Sequence, residues 1–236
     1  MRPYECQFPA QDRVSLQAIL FFAQEAAGRH CALLGADRDA LGEKNLFWAV
    51  IRQKAEVLRL PEQEPVTVKT WPMPTTRTAY PRATAGYDRE GNLLFRVHSL
   101  WVLMDRKSRA MVLPGKSGVI VEGFLTGEEV DAPGGIAQKS LEQAGVRRVE
   151  QEDLDENGHM NNTRYLLWAE ELLAREGEDR TPRGFTVCYF SEAKLGEKLQ
   201  LQMGFIGPKT AQIQGLRERA DQSGKSERVF AVTVDF

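Results

Sequence analysis

The sequence predicts an α+β protein made of two copies of one plan, a long helix wrapped by a strongly curved antiparallel sheet. Three observations carry this. Two stretches, Ile19–Ala27 and Tyr165–Leu173, place apolar residues at i, i+3, i+4, i+7 and i+8, the spacing of a buried helix face. Each is followed by apolar runs of strand length separated by Gly, Pro, Asn and Asp. The two helical stretches also superimpose at a constant offset of 146 residues: Phe22 and Ala23 fall on Trp168 and Ala169, and Ala26 and Ala27 on Leu172 and Leu173. A fixed offset is the mark of internal duplication. Residues 20, 21, 166 and 167 are apolar as well, so each helix is greasy around most of its circumference and is expected to be enclosed.

In chain order, residues 4–8 read as an opening strand and Val14 to about Leu34 as the first helix. A loop follows at Gly35–Asn45. Strands are expected at Phe47–Leu58, Val66–Trp71, Ala79–Tyr87, Leu93–Met104 and Ala110–Leu113. Pro61, Pro72, Pro74, Asp88–Asn92 and Asp105 supply the turns. The stretch Pro114–Gly145 is rich in Gly, Pro and acids and reads as a linker with a short helix near Ile136–Gln143. After the second helix, strands are expected at Gly184–Phe190, Lys198–Ile206, Thr210–Arg219 and Arg228–Phe236, with Gly207–Pro208 and Asp221–Gly224 as turns. The expected organisation is an N-terminal unit (1–113), a linker (114–145) and a C-terminal unit (146–236). Two such units form a double hot-dog, whose sheets are expected to meet edge to edge and so remove exposed strand edges.

With 42% hydrophobic and 27% charged residues, the composition is that of a globular protein rather than a disordered one. A formal net charge of −2 gives no whole-molecule attraction to nucleic acid or an anionic membrane. No window approaches the ~20 apolar residues of a membrane helix, and the first residues lack a secretory core. Cys6, Cys31 and Cys188 are odd in number and lack Cys-x-x-Cys spacing, which argues against a disulfide framework or zinc site and for a reducing cytoplasm. The three histidines are widely separated and make no metal-ligand motif. No cofactor is indicated.

The chemistry gathers just before the second helix. Asp153, Asp155, Asn157, His159, Asn161 and Asn162 lie within ten residues, around Gly158. A helix N-terminus carries unpaired N–H groups and partial positive charge, and amides around 159–162 are expected to hold a developing oxyanion. An unperturbed imidazole titrates near pH ~6.5 and suits general base work. Asn161 and Asn162 are equally good helix caps, and Asp153 reads as a cap or turn residue. Glu192, among alternating apolar residues, would on its own be a solvent-facing strand glutamate. His30 and His98 read as structural, and Cys188 as an inert buried thiol. The first half has Pro9, Gln11 and Arg13 at the positions of Asp155, Asn157 and His159. A degenerate copy suggests division of labour, with Leu20, Phe21, Trp48 and Val50 as wall candidates of a pocket in the first half.

The run Asp155-Glu-Asn157-Gly-His159-Met-Asn161-Asn162-Thr-Arg-Tyr165 resembles the signature of the acyl-acyl-carrier-protein thioesterases of bacteria and plant plastids. Thr70–Pro72, Trp101–Asp105 and Tyr189–Ala193 resemble further parts of that family, so the likeness spans nearly the whole chain. It implies Asp155, Asn157, His159 and Glu192 as catalytic residues, an acyl carrier protein as partner and an acyl chain in the pocket of the first half. Plant members often have Cys after the glutamate, where this chain has Ala193, so a water-based route is expected. With no transit peptide before Met1, a bacterial cytoplasmic enzyme is expected. The resemblance leaves open whether a residue activates water or Asp155 attacks to form an anhydride. The alternatives are an acyl-CoA thioesterase, a hot-dog hydratase and a non-enzymatic acyl-binding module. The hydratase pattern puts Pro after the Asn and the His one residue further on, and this chain has Gly158 and the shorter spacing. Because the carrier is acidic, Arg77, Arg82, Arg96, Arg106, Lys107, Arg109, Lys116, Arg147 and Arg148 are docking candidates. Two internal copies leave a homodimer open.

Overall fold

The computed structural model describes residues 2–10, 15–155, 158–218 and 226–236. The chain forms two compact units, Met1–Pro133 and Gly134–Phe236. Their boundary falls inside the stretch expected to be a linker.

The first unit opens with β1 (Tyr4–Phe8), then α1 (Leu16–Leu33) and a short α2 (Arg38–Glu43). Strands β2 (Leu46–Val57), β3 (Val66–Pro72), β4 (Tyr80–Tyr87), β5 (Leu93–Asp105) and β6 (Met111–Val112) follow, then one turn of helix, α3 (Pro114–Ser117). The sheet order is β1-β3-β4-β5-β2, with β6 paired to β5 and every pairing antiparallel. Ser15 starts α1 by accepting the Ala18 N–H at 3.2 Å, an N-cap bond. Ile19, Leu20, Phe22, Ala23, Ala26 and Ala27 are buried along the helix, and Phe22 stacks on Phe95 of β5 with centroids 6.3 Å apart. Phe21 is exposed, so enclosure of the helix is not complete at this residue. The loop expected at Gly35–Asn45 holds α2, capped by Asp37 on Ala40 N–H at 3.0 Å. Six residues with one buried apolar side chain, Leu41, carry no readable periodicity.

The second unit contains β7 (Glu142–Arg148), a 3-10 turn (Gln151–Asp153), α4 (Asn162–Arg175), β8 (Gly184–Tyr189), β9 (Lys198–Phe205), β10 (Thr210–Glu218) and β11 (Ser226–Asp235). Its order is β7-β9-β10-β11-β8, again antiparallel. Read element for element, β7, α4, β8, β9, β10 and β11 repeat β1, α1, β2, β3, β4 and β5. The duplication seen faintly in the helices therefore extends through both sheets. The expected turn at Asp221–Gly224 lies outside the described residues.

The helix expected at Ile136–Gln143 does not form. Residues 134–141 take no regular secondary structure, and β7 begins at Glu142. The expected linker is two straps instead. Residues 117–131 lie on the first sheet: Ser117 meets the Tyr80 hydroxyl at 2.8 Å, Glu129 accepts from the Trp71 indole at 2.9 Å, and Val130 O faces His98 Nδ1 at 2.9 Å. Residues 134–139 lie on the second: Gln212 and Gln214 donate to Ala137 O and Lys139 O, each at 2.9 Å. These bonds satisfy polar strand residues that a simple linker would leave bare. Among the described residues, no helix is long and apolar enough to cross a membrane.

Candidate active site

The second unit holds the functional side chains on two loops. The first lies between the 3-10 turn and α4. Asp155 N–H donates to His159 O at 2.8 Å, His159 N–H donates to Asp155 Oδ1 at 3.2 Å, and Gly158 N–H donates to Asp155 O at 3.0 Å. Gly158 sits at φ +76°, a left-handed geometry that glycine adopts without strain. His159 closes this tight turn against Asp155. Asn157 lies outside the described residues.

The second loop, 190–197, joins β8 to β9 and carries Glu192. The two loops are stitched together. Met160 N–H donates to Ala193 O at 3.0 Å, and His159 and Lys194 form a bridge. His159 Nε2 therefore comes to 3.6 Å from Glu192 Oε2, with both side chains half-buried. Asp155, His159 and Glu192 converge although the first and last are separated by helix and strand. The contact from the Asp155 carboxylate to His159 is to its backbone.

Both loops are anchored on buried groups. Asp153 is 2% exposed. Its Oδ1 accepts from Arg164 Nε at 2.8 Å and from the Trp168 indole at 3.3 Å, while Oδ2 accepts the Glu150 N–H at 3.0 Å. Asn161 N–H donates to Asp153 O at 2.8 Å. The residue expected to be a simple cap is thus the buried anchor of the His159 loop. Asn161 caps α4, accepting from Thr163 N–H at 3.0 Å. On the other loop, the Tyr165 hydroxyl accepts the Ala193 N–H at 3.1 Å, and Arg217 reaches Ser191 Oγ at 2.6 Å and Glu192 O at 3.3 Å. Burial, with Glu192 nearby, pushes the Tyr165 phenol up to about 12, so it stays protonated. Neither Tyr165 nor Arg217 was singled out as polar machinery. Tyr165 had been read only as helix packing, and a hydroxyl at the end of an apolar face was the available signal.

The amides expected to form an oxyanion site are mostly committed. Those of His159, Met160 and Asn161 donate to Asp155 Oδ1, Ala193 O and Asp153 O. Of residues 159–162, that leaves the Asn162 amide at the head of α4 among the described residues.

The other histidines are elsewhere. His30 Nδ1 faces Arg82 Nη1 at 3.1 Å, and burial together with that cation lowers its pKa to about 4. His98 is buried against Val130 O, and burial lowers its pKa. Cys188 is fully buried with its thiol toward Gly134 O. Of the wall candidates, Leu20 and Val50 are buried, Phe21 is exposed, and the Trp48 indole donates to Ala36 O at 2.8 Å.

Repeated helix-and-sheet units of this order define the double hot-dog class. The family models for the acyl-ACP thioesterase N-terminal and C-terminal domains match residues 2–113 and 136–231, and the chain belongs to the acyl-ACP thioesterase family. It is 28% identical over 184 residues to the chloroplastic palmitoyl-acyl carrier protein thioesterase of Gossypium hirsutum, a match covering 71% of this chain and 44% of that one. The chain spans about half the length of the curated relatives it matches. Its fold is that of an acyl-ACP thioesterase from Bacteroides thetaiotaomicron, with a TM-score of 0.85, 22% identity and coverage of 99% of this chain and 97% of that chain. The 12:0-ACP thioesterase from Umbellularia californica has the same fold, with a TM-score of 0.77, 21% identity and coverage of 99% and 96%.

Proposed function

We propose that this protein hydrolyses fatty acyl-acyl-carrier protein to free fatty acid and carrier, with Asp155, Asn157, His159 and Glu192 as the catalytic set. One observation carries the reading: the His159 imidazole and the Glu192 carboxylate, from different loops, meet at 3.6 Å beside Asp155. In the absence of substrate, catalytic contacts are often longer than a hydrogen bond and tighten when substrate binds.

His159 takes a proton from the attacking water, and Glu192 stabilises the imidazolium that forms. The water oxygen adds to the thioester carbonyl. The Asn162 amide, at the positive end of α4, is the described backbone donor for the oxyanion. When the intermediate collapses, the imidazolium returns its proton to the leaving thiolate. Asp155 acts by fixing the His159 backbone. Ala193 supplies no nucleophile and its side chain is fully buried, which favours water over a covalent thiol route.

The test is thiol release from acyl-carrier protein, acyl-CoA and an enoyl thioester. Release from the carrier substrate, abolished by His159→Ala with the fold retained, supports the reading. Release from acyl-CoA alone would move the assignment to an acyl-CoA thioesterase. Loss of the enoyl band without thiol would move it to a hydratase, and binding without turnover to an acyl-binding module.

A further inference from the structure

The loop that carries Glu192 and the strand ends beside it gather three cations. Its turn 194–197 is pinned to β7, with Gly196 N–H on Val149 O and Val149 N–H on Glu197 O, both at 2.9 Å. Lys194 is bridged to His159. Arg148 and Lys198 are direct partners across β7 and β9, and all three cations are exposed. Arg148 reaches over the turn: a Cβ at Gly196 would lie 3.3 Å from its Nη2. Like charges placed opposite each other in a sheet are destabilising, and among the described residues no acid is paired with them. Each neighbouring acid has another partner. Glu197 pairs with Arg217 at 2.9 Å, Glu152 with Arg164 at 3.6 Å, and Glu192 faces His159. The Glu150 side chain accepts the Asp153 N–H. Among the described residues, Arg148, Lys194 and Lys198 make no ion pair. Beside them lie two exposed aliphatic side chains, Leu195 (53%) and Val146 (61%).

We propose that Arg148, Lys194 and Lys198, with Leu195 as an apolar anchor, form the docking face for the acidic carrier protein that delivers the acyl thioester. This rests on the thioesterase reading above. Three uncompensated cations around an exposed leucine complement an acidic protein surface with an apolar spot. Lys194 and Leu195 lie on the same loop as Glu192, and Arg148 and Lys198 at the strand ends beside it, so a partner held there would present its thioester arm to the reacting pair. The basic residues singled out from sequence mostly serve elsewhere. Arg82 is buried, Arg147 pairs with Glu171 and covers Trp168, Arg96 pairs with Glu56, and Arg109 lies over Phe47. Arg148 is the one of that set that belongs to this face.

The experiment compares the wild type with Arg148→Glu, with Lys198→Glu and with the double variant. Two substrates carry the same acyl group, one on carrier protein and one on pantetheine with neither protein nor phosphate. The expected result is a loss in kcat/KM of about 10-fold or more on the carrier substrate, expressed through KM and largest at low salt. Hydrolysis of the pantetheine thioester should be unchanged, which also reports that the variants fold. An unchanged carrier rate overturns the docking face, as does an equal fall on both substrates. A wild type that hydrolyses neither substrate overturns the thioesterase reading as well, so the two failures are distinguishable.

Discussion

The Asp153 carboxylate lies 2.8 Å from Arg164 Nε, eleven residues on, the acid buried and the guanidinium half-buried beneath the reactive loop. Arg164 keeps Glu152 at 3.6 Å, so removing the carboxylate leaves the Trp168 indole and the Glu150 N–H without their acceptor rather than a bare charge, at a cost of about 1–3 kcal/mol. Asp153→Ala should therefore lower stability by that amount, read as a shifted denaturant midpoint. Asp153→Asn keeps an acceptor for Arg164 and the shape of the site, and should cost less. Because the Asp153 carbonyl also holds Asn161 N–H, the folded Asp153→Asn variant tests positioning, with kcat falling while KM holds. Equal stability of Asp153→Ala and the wild type would remove Asp153 as the anchor.

Tyr165 links helix α4 to the glutamate loop through one hydrogen bond, from Ala193 N–H to its hydroxyl. Tyr165→Phe leaves that buried donor without its acceptor, at a cost of about 1–3 kcal/mol. The ring packing on Phe230 and Tyr189 is retained, so the fold should survive. The expected kinetic result is a lower kcat with KM unchanged, because Glu192 loses its register against His159 while remaining present. Full activity in Tyr165→Phe would show that Arg217, which also holds this loop, suffices alone.

How far the chain could be read in advance follows from where its apolar residues fall. Helices α1 and α4 bury side chains at helical spacing, and every strand but β7 falls on an expected apolar run bounded by turn residues, signals visible in one dimension. Strand β7 was not visible. Its residues Glu142–Arg148 are largely exposed, and its register shifts at Gly145, so no alternation marks it. The straps at 117–131 and 134–139 hold to the sheets through polar bonds and through apolar contacts of Val119, Phe124 and Ile136, all at long sequence separation, which no local pattern encodes. In the site, the approach of His159 to Glu192 rests on the stitch from Met160 to Ala193, a backbone contact independent of side-chain identity. The family resemblance pointed to both residues, whereas their anchors Asp153, Tyr165 and Arg217 emerged only from packing.

The duplication leaves a matched weak point in each sheet. Gly86 on β4 faces Phe95 on β5, and Gly215 on β10 faces Phe230 on β11, each beside a register shift. A Cβ at Gly86 would come to 2.2 Å from the Phe95 ring, and one at Gly215 to 2.1 Å from the Phe230 ring. Both phenylalanines are fully buried, so neither ring has free volume to enter. Overpacking of this kind costs about 1–3 kcal/mol or more. Gly86→Ala and Gly215→Ala should each lower the Tm, whereas Gly91→Ala, with open space around its Cβ but φ at +86°, should cost only its backbone strain, about 1–2 kcal/mol. A Gly86→Ala or Gly215→Ala variant with the wild-type Tm would show that the ring retreats freely.

Glu129 sets an acid limit on the first strap. Burial raises its pKa, but four donors prevail: Trp71 Nε1 at 2.9 Å, Thr126 N–H at 2.6 Å and Thr126 Oγ1 at 3.1 Å on one oxygen, and Gly127 N–H at 2.9 Å on the other. The net effect holds this carboxyl down at about 2 in the folded protein, against 4.5 for an ordinary glutamate. A group whose pKa falls on folding stabilises the folded state when both states are ionised. The contribution of Glu129 is therefore fully present above pH 4.5 and lost as pH falls toward about 2, where the folded state also takes up the proton. Glu129→Gln removes the titration while keeping the side chain's size. Denaturant midpoints of the two proteins should differ by a constant gap from neutral pH down to about 5. The gap should then narrow steadily as the pH falls further. A gap of the same size at pH 7 and pH 3 would mean that the bonds to Trp71, Thr126 and Gly127 do not depend on the charge of this carboxylate.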